Sequence, residues 1–129
     1  MADGIVSAAR EIAETTDVKA ICCFSQSGTT ALLVSRERPR VPIIALTNHV
    51  ETARRLCLSW GTNCAVTGPV DRFKGAVLAA VRAAKAQNLA GEDDMVVVTA
   101  GVPFNTPGTT NILRVAPCAE RLISTGDPE

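Results

Sequence analysis

Four hydroxyl side chains and one glycine fall within six consecutive residues, Ser25-Gln26-Ser27-Gly28-Thr29-Thr30. They follow an apolar run, Ala20-Ile21-Cys22-Cys23-Phe24, and lead into a helix-forming stretch from Thr29 to Arg38. At a strand-to-helix junction the free backbone N–H groups and the positive end of the helix dipole attract anions. Gly28 lets the backbone approach a ligand closely. The chemistry this run supports is the cradling of a phosphate group. The competing reading is a well-capped helix start, since Ser and Thr are favoured there without any ligand. The run is not a P-loop, because GxxxxGK[ST] is missing and no lysine stands where it would reach a β- or γ-phosphate. The Rossmann pattern GxGxxG is missing too. A second Gly-Thr-Thr, Gly108-Thr109-Thr110, closes the segment Gly101 to Thr110 near the other end of the chain.

The remaining chemistry-bearing residues form no catalytic set. His49, the single histidine, follows Asn48 at the start of a helical pattern and reads as a surface or capping residue, because a catalytic histidine needs a positioned partner. Arg36, Arg38 and Arg40 fall within five residues and read as a solvated helix end that suits the negative pole of the dipole. The carboxylates are scattered, with no acid–base dyad and no oxygen-ligand set for Mg²⁺. Five cysteines, Cys22, Cys23, Cys57, Cys64 and Cys118, lack CxxC spacing and come in odd number, which favours small apolar filler over a metal site or disulfide framework.

The elements that must position these residues follow from periodicity. Residues Asp3 to Thr16 predict a helix with Ile5, Ala8/Ala9 and Ile12 on one stripe. The unalternating run Ala20–Phe24 predicts a strand covered on both faces. Pro39 and Pro42 end the helix that follows it. Residues Ile43–Thr47 predict the second strand, then a helix capped by Asn48 with Val50, Ala53, Cys57 and Trp60 inward and Gly61 as its stop. Cys64–Thr67 predicts a shorter third strand. Asp71 then caps a helix lined by Phe73, Val77, Val81 and Ala84. Met95–Ala100, apolar and β-branched, predicts the fourth strand, and Ile112–Ala116 the fifth. The tail from Pro117 reads as loop.

Strands alternating with helices make the first four strands parallel, with helices on both faces of the sheet. The Gly101–Thr110 connection holds two prolines and no helix, so the fifth strand returns antiparallel beside the fourth. The expected fold is one domain spanning 1–129, a three-layer α/β/α sandwich around a five-stranded mixed sheet. If the first strand lies between the second and fourth, the Ser25–Thr30 turn and the Gly101–Thr110 loop open onto one crevice at the carboxyl ends of the strands.

Composition narrows the classes. Lys+Arg and Asp+Glu both number 13, so no basic excess favours nucleic acid or a membrane surface. Aromatic residues make up 3%, too few for base-stacking platforms. No apolar run approaches the roughly 20 residues that span a bilayer, and the first residues lack a signal-peptide h-region. A cytoplasmic protein without nucleic-acid or membrane partners is expected.

The runs FSQSGTTALLVSRERPRVPIIALTNHVETARRL and VVVTAGVPFNTPGTTNILRV resemble the C-terminal domain of pyruvate kinases of the bacterial type. The match rests on the [ST]-x-[ST]-G-x-[ST] turn, the R-x-R-P-x-x-P-I run and the final G-x(n)-G-x-T-N loop, in that order and over nearly the whole chain. The resemblance implies strand order 3-2-1-4-5 with strand 5 antiparallel. It implies a regulatory and oligomerisation domain that binds a phosphorylated allosteric effector. Phosphate binding falls to Ser25, Gln26, Ser27, Gly28, Thr29 and Thr30, and the effector loop contributes Gly101, Thr106, Pro107, Gly108, Thr109 and Thr110. Pairing of last strands across a two-fold axis points to Ile112, Leu113, Arg114, Val115 and Ala116. The catalytic barrel, with its Mg²⁺, K⁺ and ADP/ATP sites, is absent from these 129 residues. The chain alone is therefore expected to hold no cofactor or metal and to transfer no phosphoryl group.

Sugar-bisphosphate-binding relatives usually carry Lys at the position of Gln26 and often Arg at that of Thr29. They also place basic or aromatic residues where this chain has Val102, Pro103, Phe104 and Asn105. Each absent charge-assisted contact forgoes about 1.5–3 kcal/mol. A sugar monophosphate or nucleoside monophosphate is therefore expected over fructose 1,6-bisphosphate. The alternatives are a purely structural interaction domain with a vestigial pocket, or a small stand-alone phosphate-ester-binding protein or enzyme.

Overall fold

A computed structural model describes residues 2–24, 29–56, 62–67, 73–100 and 112–120. The described elements are α1 (Ala2–Thr15), β1 (Ile21–Phe24), α2 (Thr29–Arg36), β2 (Ile43–Thr47), α3 (Val50–Leu56), β3 (Thr62–Val66), α4 (Phe73–Ala86), β4 (Met95–Ala100) and β5 (Ile112–Pro117). They form one five-stranded sheet in the order β3-β2-β1-β4-β5. Pairs β1–β2, β2–β3 and β1–β4 are parallel, and β4–β5 is antiparallel.

The alternation of side chains along each strand sorts the core into two halves. On one face Cys22, Ile44, Leu46, Val96 and Val98 pack with Val77, Ala80, Val81 and Ala84 of α4. On the other, Ile21, Cys23, Ile43, Ala45 and Val97 pack with Val6, Ala9 and Ala13 of α1, Ala31 and Val34 of α2, and Leu56 of α3. The distribution follows from crossover handedness. The connections β1–β2 and β2–β3 step outward in one direction and put α2 and α3 on one face. The β3–β4 connection steps back across the sheet and puts α4 on the other.

Two helix faces differ from the sequence expectation. In α1 the buried stripe is Val6, Ala9 and Ala13, with Ile5 and Ile12 half-buried at its flanks and Ala8 exposed. Small alanines at the contact let the helix approach the sheet closely, which outweighs burying the larger isoleucines. In α3 the inward residues are Thr52, Ala53 and Leu56, while Val50 is 50% exposed. The first helical bond runs from the Ala53 N–H to the His49 carbonyl at 3.1 Å, so His49 rather than Asn48 is the N-cap, and the helix is turned accordingly. Cys57, Trp60, Gly61 and Asp71 lie outside the described residues.

Helix ends carry recognisable stops. Asn88 takes φ 59°, its N–H bonding to the Lys85 carbonyl at 3.1 Å while the Leu89 N–H bonds to the Ala84 carbonyl at 3.0 Å, a Schellman closure of α4. Asn is among the few non-glycine residues that tolerate this region. Asn88→Ala is expected to cost about 1 kcal/mol and Asn88→Gly close to nothing, read from urea unfolding midpoints. Helix α2 ends at Arg36 rather than continuing to Arg38, which takes φ 47° just before Pro39.

The first residues after β5 are tied down rather than loop-like. Pro117 extends the strand, and Cys118 and Ala119 are buried. The Glu120 carboxylate accepts from Arg82 Nε at 2.9 Å and from Lys85 Nζ at 3.2 Å. Those two hydrogen bonds hold its carboxyl below the usual range. A depressed carboxyl stabilises the fold above its ordinary pKa and loses that contribution as pH falls through the lowered value. Glu120→Gln is therefore expected to remove a salt-sensitive part of the acid limb of stability between those two values, measured by melting temperature against pH.

Candidate functional site

The strand order places β1 between β2 and β4. Chain direction across the sheet reverses there, so the carboxyl ends of β1 and β4 flank a topological switch point, where open α/β sheets bind ligands. In register, Ile21 lies beside Val97 and Cys23 beside Thr99. The two parallel strands therefore end at the same level, at Phe24 and Ala100. The hydroxyl-rich run departs from the first and the Gly101–Thr110 segment from the second. The condition on which the sequence argument rested, β1 between β2 and β4, is met.

Ser25, Gln26, Ser27 and Gly28, the Thr29 side chain, and Gly101, Thr106, Pro107, Gly108, Thr109 and Thr110 lie outside the described residues. Of the proposed cradle the structure describes the Thr29 backbone, which opens α2, and Thr30, which is 3% exposed. No acidic residue occupies the first turn of α2 and Arg36 sits in its last. The positive end of the helix dipole thus carries no carboxylate in its own first turn to offset it.

The neighbouring strand end is ordered by local hydrogen bonds. Buried Thr47 closes β2, its Oγ1 accepting the His49 N–H at 3.1 Å and its carbonyl accepting the Thr67 N–H at 2.9 Å. His49 itself is exposed, as a capping histidine would be.

The arginine run has a structural use that its spacing did not disclose. The Arg40 N–H donates to Glu14 Oε1 at 3.2 Å, the Arg40 guanidinium donates to the Thr16 carbonyl, and Arg10 Nε donates to the Glu37 carbonyl at 3.2 Å. These bonds fasten α1 to the turn between α2 and β2. A signal for them lay only in long-range pairing, which one sequence does not display.

Three of the five cysteines pack as filler, and Cys64 is half-buried. Cys22, Cys23 and Cys118 are fully buried and all three are free thiols. Burial pushes the Cys23 thiol up to about 11 and raises those of Cys22 and Cys118 as well, away from the reactive thiolate. Cys57 lies outside the described residues. Among the described residues no group of three or more His, Cys, Asp or Glu could hold a metal ion, and no helix is long and apolar enough to cross a membrane.

Among the described strands the proposed interface strand stands at the edge of the sheet, bonded to β4. Ile112, Leu113 and Arg114 are half-buried, Val115 is 37% exposed, and Ala116 is buried. Edge strands leave a row of backbone groups free to pair with another chain.

Residues 3–116 match the family model described as "Pyruvate kinase, alpha/beta domain". A pyruvate kinase of Methylorubrum extorquens is 39% identical over 114 residues, covering 88% of this chain and 24% of that protein. One of Agrobacterium vitis is 42% identical over 111 residues, covering 86% and 23%. Among solved structures, Cryptosporidium parvum pyruvate kinase in complex with ADP superposes with a TM-score of 0.81 at 29% identity, over 91% of this chain and 23% of that one. The chain spans about a quarter of the length of the curated relatives it matches.

Proposed function

This chain belongs to the pyruvate kinase alpha/beta domain family, and from that premise we propose that it is the regulatory and assembly domain of a cytoplasmic pyruvate kinase. Its role is to bind a phosphorylated effector in the crevice after β1 and β4. The observation that carries the reading is the shared level of those two strand ends at the switch point, with the hydroxyl-rich run leaving one and the Gly101–Thr110 segment leaving the other. Backbone N–H groups of the run, the hydroxyls of Ser25, Ser27 and Thr29, and the α2 dipole would together hold one phosphate. With Gln26 where a cation would grip a second phosphate, a sugar monophosphate or nucleoside monophosphate is the favoured ligand class. In the parent enzyme, phosphoenolpyruvate and ADP would become pyruvate and ATP on a barrel outside this chain, with Mg²⁺, K⁺ and the nucleotide held there. Saturating monophosphate is expected to raise the melting temperature of the chain, and inorganic sulfate at equal ionic strength to raise it less.

A second reading is favoured by the position of β5 at the end of the sheet order among the described strands. Under it the domain serves assembly, with Ile112–Ala116 pairing against the same strand of another copy. Sedimentation over a concentration series distinguishes the two. Dimerisation abolished by Leu113→Pro, together with no thermal response to any phosphate ester, would favour assembly alone.

A further inference from the structure

A cavity of about 450 Å³ opens at the amino-terminal ends of β1 and β4, the end of the sheet opposite the switch-point crevice. Val18 and Lys19 enter β1 there, and Asp93 and Asp94 enter β4. Its volume lies within the range of small-molecule sites. Its apolar wall comes from three elements: Ile12 of α1, Met95 of β4 and Val115 of β5. Met95 and Val115 are among the exposed large apolar side chains, at 40% and 37%. Its polar wall is net acidic, with the carboxylates of Asp17, Asp93 and Asp94 outnumbering the single ammonium of Lys19.

The walls are held by short bonds. Thr16 donates to the Ile12 carbonyl through its N–H at 3.0 Å and its hydroxyl at 2.7 Å, which fixes the end of α1. Asp94 Oδ2 accepts the Gly91 N–H at 2.7 Å, and the Lys19 N–H bonds to the Met95 carbonyl at 2.9 Å. Asp17 and Asp93 have no ion pair among the described residues. A preformed pocket loses less entropy on binding than one that must be ordered first.

We propose that this cavity is a second binding site, for an organic cation consisting of a primary ammonium or guanidinium on an aliphatic arm. The arm lies along Ile12, Met95 and Val115, while the head sits among the Asp17 and Asp93 carboxylates, the division by which long basic side chains bury their stems and keep their charge wet. An anion of the same size is repelled at the mouth. A neutral apolar molecule would strip water from the carboxylates without replacing it. The same chemistry is offered by a free amine and by a Lys or Arg side chain on another protein.

The test is a nuclear magnetic resonance titration of the 129-residue chain with three probes at low salt: agmatine, a blocked Gly-Arg-Gly peptide, and hexanoate as the anionic control. Agmatine or the peptide should move the amide signals of Val18, Met95 and Val115, and hexanoate should not. Tighter binding of agmatine identifies a free amine as the ligand, and tighter binding of the peptide a protein-borne side chain. Joint replacement Asp17→Asn and Asp93→Asn, at exposed positions where folding is little disturbed, should weaken binding about fivefold. Val115→Trp, which fills the cavity from a partly exposed edge position, should abolish it. Equal binding of hexanoate, or no shift from either cation at millimolar concentration, overturns the proposal.

Discussion

Ile44→Ala should destabilise the chain by about 2–5 kcal/mol, as large-to-small changes at buried positions do. Ile44 is fully buried on β2 and shares the core on the α4 face with Cys22, Leu46, Val77 and Val81. Its neighbours are themselves held by the parallel ladders on either side, where Ile44 lies beside Cys22 of β1 and Asn63 of β3. The site therefore has little freedom to collapse onto the lost methyls. Domains of this size retain only about 5–15 kcal/mol of net stability, so one such change removes a large share of it. Val66→Ala serves as the internal comparison. It lies on the neighbouring β3, is 52% exposed, and should cost less than about 0.5 kcal/mol. Urea unfolding of both variants checks the contrast, and equal losses would mean that the layer assignment is wrong.

The second large effect is a gain. If the hydroxyl-rich run cradles one phosphate and lacks only a cation for another, Gln26→Lys should tighten binding of fructose 1,6-bisphosphate far more than that of a monophosphate. A charge-assisted hydrogen bond contributes about 1.5–3 kcal/mol, equivalent to about 10- to 150-fold in Kd. The monophosphate should change by less than about threefold, since its single phosphate is already satisfied. The ratio of the two affinities, rather than either alone, reports the effect, because added positive charge attracts every anion to some degree. An unchanged ratio would place position 26 away from the ligand.

Much of the scaffold was legible in the sequence because its signals are local. Met95–Ala100 reads as a strand from composition and is one to the residue; the unalternating run Ala20–Phe24 reads as a strand covered on both faces, and Ile43–Thr47, read as the second strand, is buried throughout. The antiparallel return of β5 was legible because the two prolines of Gly101–Thr110 argue against a crossover helix there, and β5 does pair antiparallel with β4. Helix rotation was less legible. In α1 the sets Ile5, Ala8 and Ile12 and Val6, Ala9 and Ala13 have similar spacing, and only the closeness of the sheet selects the second. In α3 the apolar Val50 faces out while Thr52 is buried, because the cap at His49 sets the phase.

The candidate crevice was legible as two hydroxyl- and glycine-bearing segments, and the strand order brings the strands they follow side by side. The cavity at the other end of the sheet was not. Asp17, Asp93, Ile12 and Val115 come from four places in the chain and carry no motif, so only folding discloses that they share a wall.

The most direct test of the effector reading is a calorimetric titration of the 129-residue chain with a panel of hexose, pentose and nucleoside monophosphates beside fructose 1,6-bisphosphate. Each ligand is repeated on Ser27→Ala, which alters the proposed cradle without touching the buried Thr30. Saturable, one-site heat from at least one monophosphate, weakened about tenfold or more in Ser27→Ala, is the predicted result. No heat from any phosphate ester, or binding that Ser27→Ala leaves unchanged, would contradict it.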